Sequence, residues 1–159
     1  MVSHVGDDNR PRMVDVSDKS TTARTAHARS SVRFPAEAMP DDPGGEIQTK
    51  KGPVFQTAIV AGVMAAKKTH ELIPFCHPLA IEDCKIEIRL GEDGVARIDC
   101  RVKVTHKTGV EMEALTGASV AALTIYDMCK SLSHDIVIGE TYLVEKRGGK
   151  SDYLHHQGS

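Results

Sequence analysis

Alternation of apolar and polar positions is clearest in the middle of the chain. Cys84, Ile86, Ile88 and Leu90 alternate with charged neighbours, the pattern of a strand with one face buried. Gly91-Glu92-Asp93-Gly94 then supplies turn residues. Residues 95–105 alternate again, with Ile98, Cys100, Val102 and Val104 predicted to face inward. The period changes at Lys107. The stretch KTGVEMEALTGASVAALTIYDMCK, residues 107–130, holds almost no helix breaker and is rich in Ala, Leu, Met and Glu. It predicts one long helix, apolar enough to be mostly buried.

The pattern on either side is weaker. Residues 25–34 read as extended, with Ala28, Val32 and Phe34 as inward candidates, and residues 35–45 as a loop or one short irregular helix. A second helix is predicted from Pro53, whose missing N–H suits a first turn. Val54, Ala58, Ala61, Val63 and Ala65 give it a small-residue apolar face. It should fade by about Leu72, because Pro74 disfavours helical geometry at Ile73. Pro74 and Pro78 hold Cys76 and His77 in a stiff path. Residues 135–146 read as a last strand.

Strand, helix, strand, strand, helix, strand is the order of a ferredoxin-like α+β sandwich, β-α-β-β-α-β, with an antiparallel sheet covered by helices on one face. Residues 13–151 are expected to form a single domain, residues 1–12 a mobile arm and residues 152–159 a mobile tail. The uncovered sheet face is a natural place for contacts between copies.

Composition narrows the function classes. The chain has 159 residues, enough for one domain with a real core. A net charge of −2 argues against non-specific attraction to nucleic acid or anionic membrane, so an anionic ligand needs a local basic cluster. With no Trp and 4% aromatic residues, a stacking platform for single strands is not expected. The four cysteines, Cys76, Cys84, Cys100 and Cys129, form no C-x-x-C pair. They read as reduced thiols of a cytoplasmic protein, with no metal site. No apolar run is long enough to span a bilayer.

Candidate chemistry starts on the long helix. Asp127 and Lys130 are three apart, hence neighbours on one side. Two readings stand: an exposed ion pair, or a partly desolvated carboxylate–ammonium couple able to move protons. Glu113 lies fourteen positions before Asp127. That sets them within about 40° around the helix but roughly 21 Å apart along it. They cannot serve one small reaction centre within one subunit: either Glu113 meets a different part of a large substrate, or sites form between subunits. Glu111 and Glu113 equally suit a helix N-terminus through its dipole. His77 is by type more often structural, and Cys76 beside it in extended chain points the other way. Lys50, Lys51, Lys146, Arg147 and Lys150 are by default a solvated face. Even so, KRGGK sets positive charge beside glycines whose N–H groups can approach a phosphate.

LIPFCHPL, the KTGVEMEALTGASVAALTIYDMCK stretch and the closing EKRGGKS resemble the motifs of the MoaC family, cyclic pyranopterin monophosphate synthases of molybdenum cofactor biosynthesis. MVDVS, with Lys19 and Arg24, and KKG before the first helix also match, so the resemblance covers about residues 13–151. It implies a ferredoxin-like lyase that assembles as a homohexamer, a trimer of dimers, with active sites between two subunits. The implied reaction converts 3′,8-cyclo-7,8-dihydroguanosine 5′-triphosphate to cyclic pyranopterin monophosphate and pyrophosphate. No cofactor is implied beyond an Mg²⁺ ion that could accompany the triphosphate.

Carried over by motif, Asp127 is the acid/base residue, Lys130 its partner and Lys51 a second catalytic lysine. Phe75, Cys76 and His77 line the substrate pocket, Met112 and Glu113 contact the substrate, and Lys146 meets the triphosphate. Lys150 and Arg24 are further candidates there. Two positions depart from the pattern: Pro53 stands where Asp is usual, and Phe75, where Leu is usual, would narrow the pocket. A reading from another class remains beside this one, a ferredoxin-like module that holds a nucleotide without reacting it. A metal carrier fits less well, since the C-x-x-C expected of one is missing.

Overall fold

A computed structural model of the chain describes residues 7–40 and 45–156. In chain order the elements are β1 (Thr22–Arg33), one 3₁₀ turn (Ala36–Ala38), the two-residue strands β2 (Gln48–Thr49) and β3 (Gly52–Pro53), α1 (Val54–Lys67) and α2 (Thr69–Leu72). After them come β4 (Asp83–Leu90), β5 (Val95–His106), α3 (Glu111–Cys129), β6 (Val137–Ile138), β7 (Tyr142–Arg147) and β8 (Tyr153–Leu154). The first six residues of the expected N-terminal arm lie outside the described residues, as do residues 41–44 and 157–159.

The main sheet runs β4-β5-β1-β7-β8, with β6 also paired to β1, and every pairing is antiparallel. The two long strands, β1 and β5, lie side by side in unbroken register from Thr22 opposite His106 to Arg33 opposite Val95. The fold is the expected ferredoxin-like α+β sandwich. Alternation along β5 buries Ala96, Ile98, Cys100, Val102 and Val104 on one face, as the pattern predicts. Ala28, Val32 and Phe34 of the first strand region are buried too. Each fully buried side chain of Ile98's size contributes about 1.5–3 kcal/mol.

α1 and α3 cover that face and approach each other closely. A Cβ on Gly62 of α1 would stand 2.8 Å from the carbonyl oxygen of Gly117 in α3 and collide with Ile86 Cδ1. Ala114, Ala118, Ala121 and Ala122 of α3 are fully buried beside this crossing. Small side chains bring the helix backbone down onto the sheet, and this rigid seat fixes both ends of α3.

Three boundaries differ from the sequence reading. The first helix stops at Lys67, where Thr69 turns its hydroxyl back to the Ala66 carbonyl at 2.9 Å, and the short α2 then ends at Ile73, extended before Pro74. The last strand is broken into β6 and β7. Gly139 donates its N–H to the Ser31 carbonyl at 2.8 Å and packs where a Cβ would strike Ser31 Oγ, while β1 shifts register against β7 between His27 and Ala28. The expected C-terminal tail includes β8, which pairs Tyr153 with Lys146.

Candidate active site

The chemistry-bearing residues gather at the two ends of α3. At its N-terminal end, a cleft of about 480 Å³ is lined by Phe75, Cys76 and His77 from the Pro-bracketed loop and by Met112 and Glu113 from the first turn. The loop is stiffened by its prolines and by a turn from Cys76 N to the Ile73 carbonyl, 3.2 Å. Val14 and Val16 of the MVDVS segment form the opposite wall. The His77 Nε2–H donates to the Val14 carbonyl at 2.7 Å, so this histidine holds the wall in place. Lys107 adds a bond to the Ser17 carbonyl, 3.1 Å.

Glu113 is the unusual group of this cleft. It is only 3% exposed, its Oε2 accepts a long contact from Cys76 Sγ at 3.7 Å, and its Oε1 has no hydrogen-bond partner. Burial pushes its carboxyl above the ordinary range. Burial, then the charge of Glu113, pushes the Cys76 thiol up to about 11, which keeps it protonated and unfit as a nucleophile. Phe75 and Met112 stand half-exposed at the rim. Lys146, on β7, reaches Glu111 Oε1 at 3.4 Å and so belongs to this end. Arg24 donates its Nε–H to the His106 carbonyl at 3.0 Å, and its guanidinium lies beside Gly149; Lys150 is exposed.

At the C-terminal end of α3, Asp127 takes two lysines at once. Lys51 Nζ stands 2.9 Å from its Oδ2, and Lys130 Nζ 3.1 Å from its Oδ1. Lys51 arrives from the tip of the β2–β3 hairpin, where Gly52 at φ +110° makes a turn that an L side chain would strain. The hydrogen bond from Lys51, then that from Lys130, holds the Asp127 carboxyl below the usual range. A second cleft, about 730 Å³, surrounds the trio together with Lys50, Met128 and Leu132. The partly dry couple of the sequence reading is absent from the single chain, where Asp127 and both lysines are 54–56% exposed.

The two groups stay apart. Phe75, Cys76, His77, Met112, Glu113 and Lys146 form one cluster, Lys51, Asp127 and Lys130 another. α3 separates Glu113 from Asp127 by roughly 21 Å of helix. Thr108, of the Thr-Gly pair before the helix and not among the candidate site residues, also lines the cleft, and its buried hydroxyl has no hydrogen-bond partner. Among the described residues no group of three or more His, Cys, Asp or Glu side chains could hold a metal ion, and no helix is long and apolar enough to cross a membrane.

The chain is similar to known proteins over most of its length. The chain is 57% identical over 151 residues to the cyclic pyranopterin monophosphate synthase of Xanthomonas axonopodis pv. citri (strain 306), covering 95% of this chain and 92% of that protein. It is 51% identical to the protein of the same name from Bacillus pumilus (strain SAFR-032), covering 96% and 94%. It is also 51% identical to a molybdenum cofactor biosynthesis bifunctional protein of Synechocystis, of whose length it spans 45%. The model of the MoaC family matches residues 13–149, and with these identities the chain belongs to that family.

Proposed function

We propose that the chain is a lyase that converts 3′,8-cyclo-7,8-dihydroguanosine 5′-triphosphate to cyclic pyranopterin monophosphate with release of pyrophosphate, in molybdenum cofactor biosynthesis. The names of relatives more than half identical across most of both chains support the reaction. One structural observation supports the site: two clusters of chemistry-bearing residues occupy opposite ends of one buried helix, roughly 21 Å apart.

A second copy related by a two-fold axis completes both. With α3 antiparallel to its mate about a point near Val120, Glu113 of one chain comes level with Asp127 of the other, at the 8–10 Å axis spacing of about two packed helices. The outer side of the helix layer suits such a contact, since Val60, Met64 and Leu123 are each more than half exposed there. Covering it would also dry the exposed Asp127 trio and strengthen its electrostatics. The dimer is the unit of a cytoplasmic homohexamer, with residues 13–151 as the catalytic domain.

Roles follow from chemistry. The unpartnered Glu113 oxygen accepts N–H groups from the guanidine-like edge of the substrate, with Met112, Phe75 and Cys76 against its apolar surface and His77 fixing the wall. Lys146, assisted by Arg24 and Lys150, meets the triphosphate. Asp127 shifts protons, while Lys51 and Lys130 stabilise charge developing on the leaving pyrophosphate. Mixing the protein with the cyclised triphosphate should release pyrophosphate and yield the cyclic phosphate. Binding without release would instead make the chain a nucleotide-holding module.

A further inference from the structure

We infer that Glu46 is the positioning residue for Lys51: its carboxylate ties the base of the β2–β3 hairpin to the first turn of α1 and so aims the hairpin tip at Asp127. The inference rests on the reading that Lys51 acts on the substrate together with Asp127.

Besides Glu46, one backbone bond closes the base of the hairpin, from the Val54 N–H to the Ile47 carbonyl at 2.9 Å, and the buried Ile47 and Val54 side chains seat it. β2 and β3 are two residues each and pair only with one another, Gln48 with Pro53 and Thr49 with Gly52. Thr49 locks the turn internally, donating its hydroxyl to the Gly52 carbonyl at 3.2 Å and accepting the Lys51 N–H at 3.2 Å. The Lys51–Asp127 pair at the tip is more than half exposed on both sides, and exposed pairs contribute too little to order a loop. The anchor therefore lies at the base.

There Glu46 Oε1 accepts the N–H of its neighbour Ile47 at 2.8 Å and of Phe55 at 2.8 Å, and Oε2 accepts that of Gln56 at 3.0 Å. Phe55 and Gln56 are the second and third residues of α1, the two N–H groups a helix-capping side chain ordinarily satisfies. Pro53, at the capping position, makes no side-chain bond, and no acidic residue lies in the first turn. Glu46 thus does the capping from across the hairpin, and its negative charge also suits the positive end of the helix dipole. Its bond to Ile47, whose side chain is buried, joins the incoming strand to the same carboxylate. The thiol of Cys129, at the end of α3 and two residues from Asp127, senses that charge: burial first, then Glu46, raises it to about 11. One carboxylate thus joins the base of the hairpin to the start of α1.

The test compares full-length wild type, Lys51→Ala, Glu46→Ala and the double variant Glu46→Ala/Pro53→Asp, by steady-state pyrophosphate release from the cyclised triphosphate and by thermal melting. Glu46→Ala should lower kcat about tenfold through misplacement of Lys51, with KM changed less than about twofold because the substrate-gripping half is untouched. The aspartate introduced by Pro53→Asp caps the same two N–H groups but cannot reach Ile47. The double variant should therefore recover the melting temperature while kcat stays low, and it carries the test should Glu46→Ala alone fail to fold. Wild-type kcat in Glu46→Ala, or kcat recovering together with the melt in the double variant, overturns the inference. If Lys51→Ala keeps wild-type turnover, the reading of Lys51 falls and the inference with it; if it is inactive while Glu46→Ala is not, the inference alone falls.

Discussion

Lys51 Nζ lies 2.9 Å from Asp127 Oδ2, bridging 76 residues of sequence, and Lys130 occupies the other oxygen of the same carboxylate. A carboxylate clamped in this way is a base whose proton affinity is set by two ammonium groups. Asp127→Asn should leave assembly intact and lower turnover about 10²–10⁴-fold, the usual worth of a positioned acid/base group. Carbon-13 NMR of the side-chain carboxyl checks the electrostatics. The depressed folded value means that the ion pair is intact above the ordinary carboxylate range and is lost as pH falls through the lowered value. In Lys51→Ala that titration should move up toward the ordinary range; an unmoved midpoint would count against the lysine as its main cause.

Glu113 runs with the opposite sign. Its carboxyl is raised by burial, so the folded state binds the proton more tightly than the unfolded chain does. Stability should then fall as pH climbs from the ordinary carboxylate range through the raised value. Glu113→Gln removes that decline. Urea melts should find the variant more stable than wild type at pH 8 and little different at pH 4, while KM for the triphosphate rises roughly tenfold or more through loss of a charge-assisted hydrogen bond. A variant less stable at pH 8 would mean that Glu113 is satisfied in a way the unpartnered Oε1 does not suggest.

Mixing two inactive variants tests the shared site. When Asp127→Asn and Glu113→Ala chains are unfolded together and reassembled in equal amounts, mixed dimers hold one site with both native acids and one with neither. Random pairing should restore about a quarter of wild-type sites. No recovery, with mixed assemblies confirmed by mass spectrometry, would confine each site to one chain.

The helix seat makes a separate prediction. Gly62→Ala forces a methyl group against the Gly117 carbonyl and Ile86, and should cost about 1–3 kcal/mol in equilibrium unfolding. A shift in the urea midpoint at unchanged slope would report it.

Much of the fold can be read from local pattern because burial on one face leaves a period. Alternation from Cys84 to Leu90 and from Val95 onward becomes β4 and β5, and the breaker-free run becomes α3. Pro74 ends its helix where proline sterics require. The break at Gly139 escapes such reading, because it depends on Ser31 packing from a distant strand. Glu46 escapes it too: a cap is sought immediately before a helix, and here it comes from nine residues before Phe55 across a turn. The proximity of Lys51 to Asp127 is tertiary, and the exposure of that pair in one chain is settled by neither pattern nor spacing.

α3 runs from Glu111 to Cys129 without interruption, so distance and angle between its ends are locked together. Inserting one residue at its middle would advance Asp127 by only about 1.5 Å but swing it by about 100°. Seven residues would bring the angle back to within about 20° while lengthening the helix by about 10 Å. No insertion restores both quantities. The helix therefore tolerates exchange of side chains far better than any change in its count of residues, and length variation among related chains belongs in the loops around it.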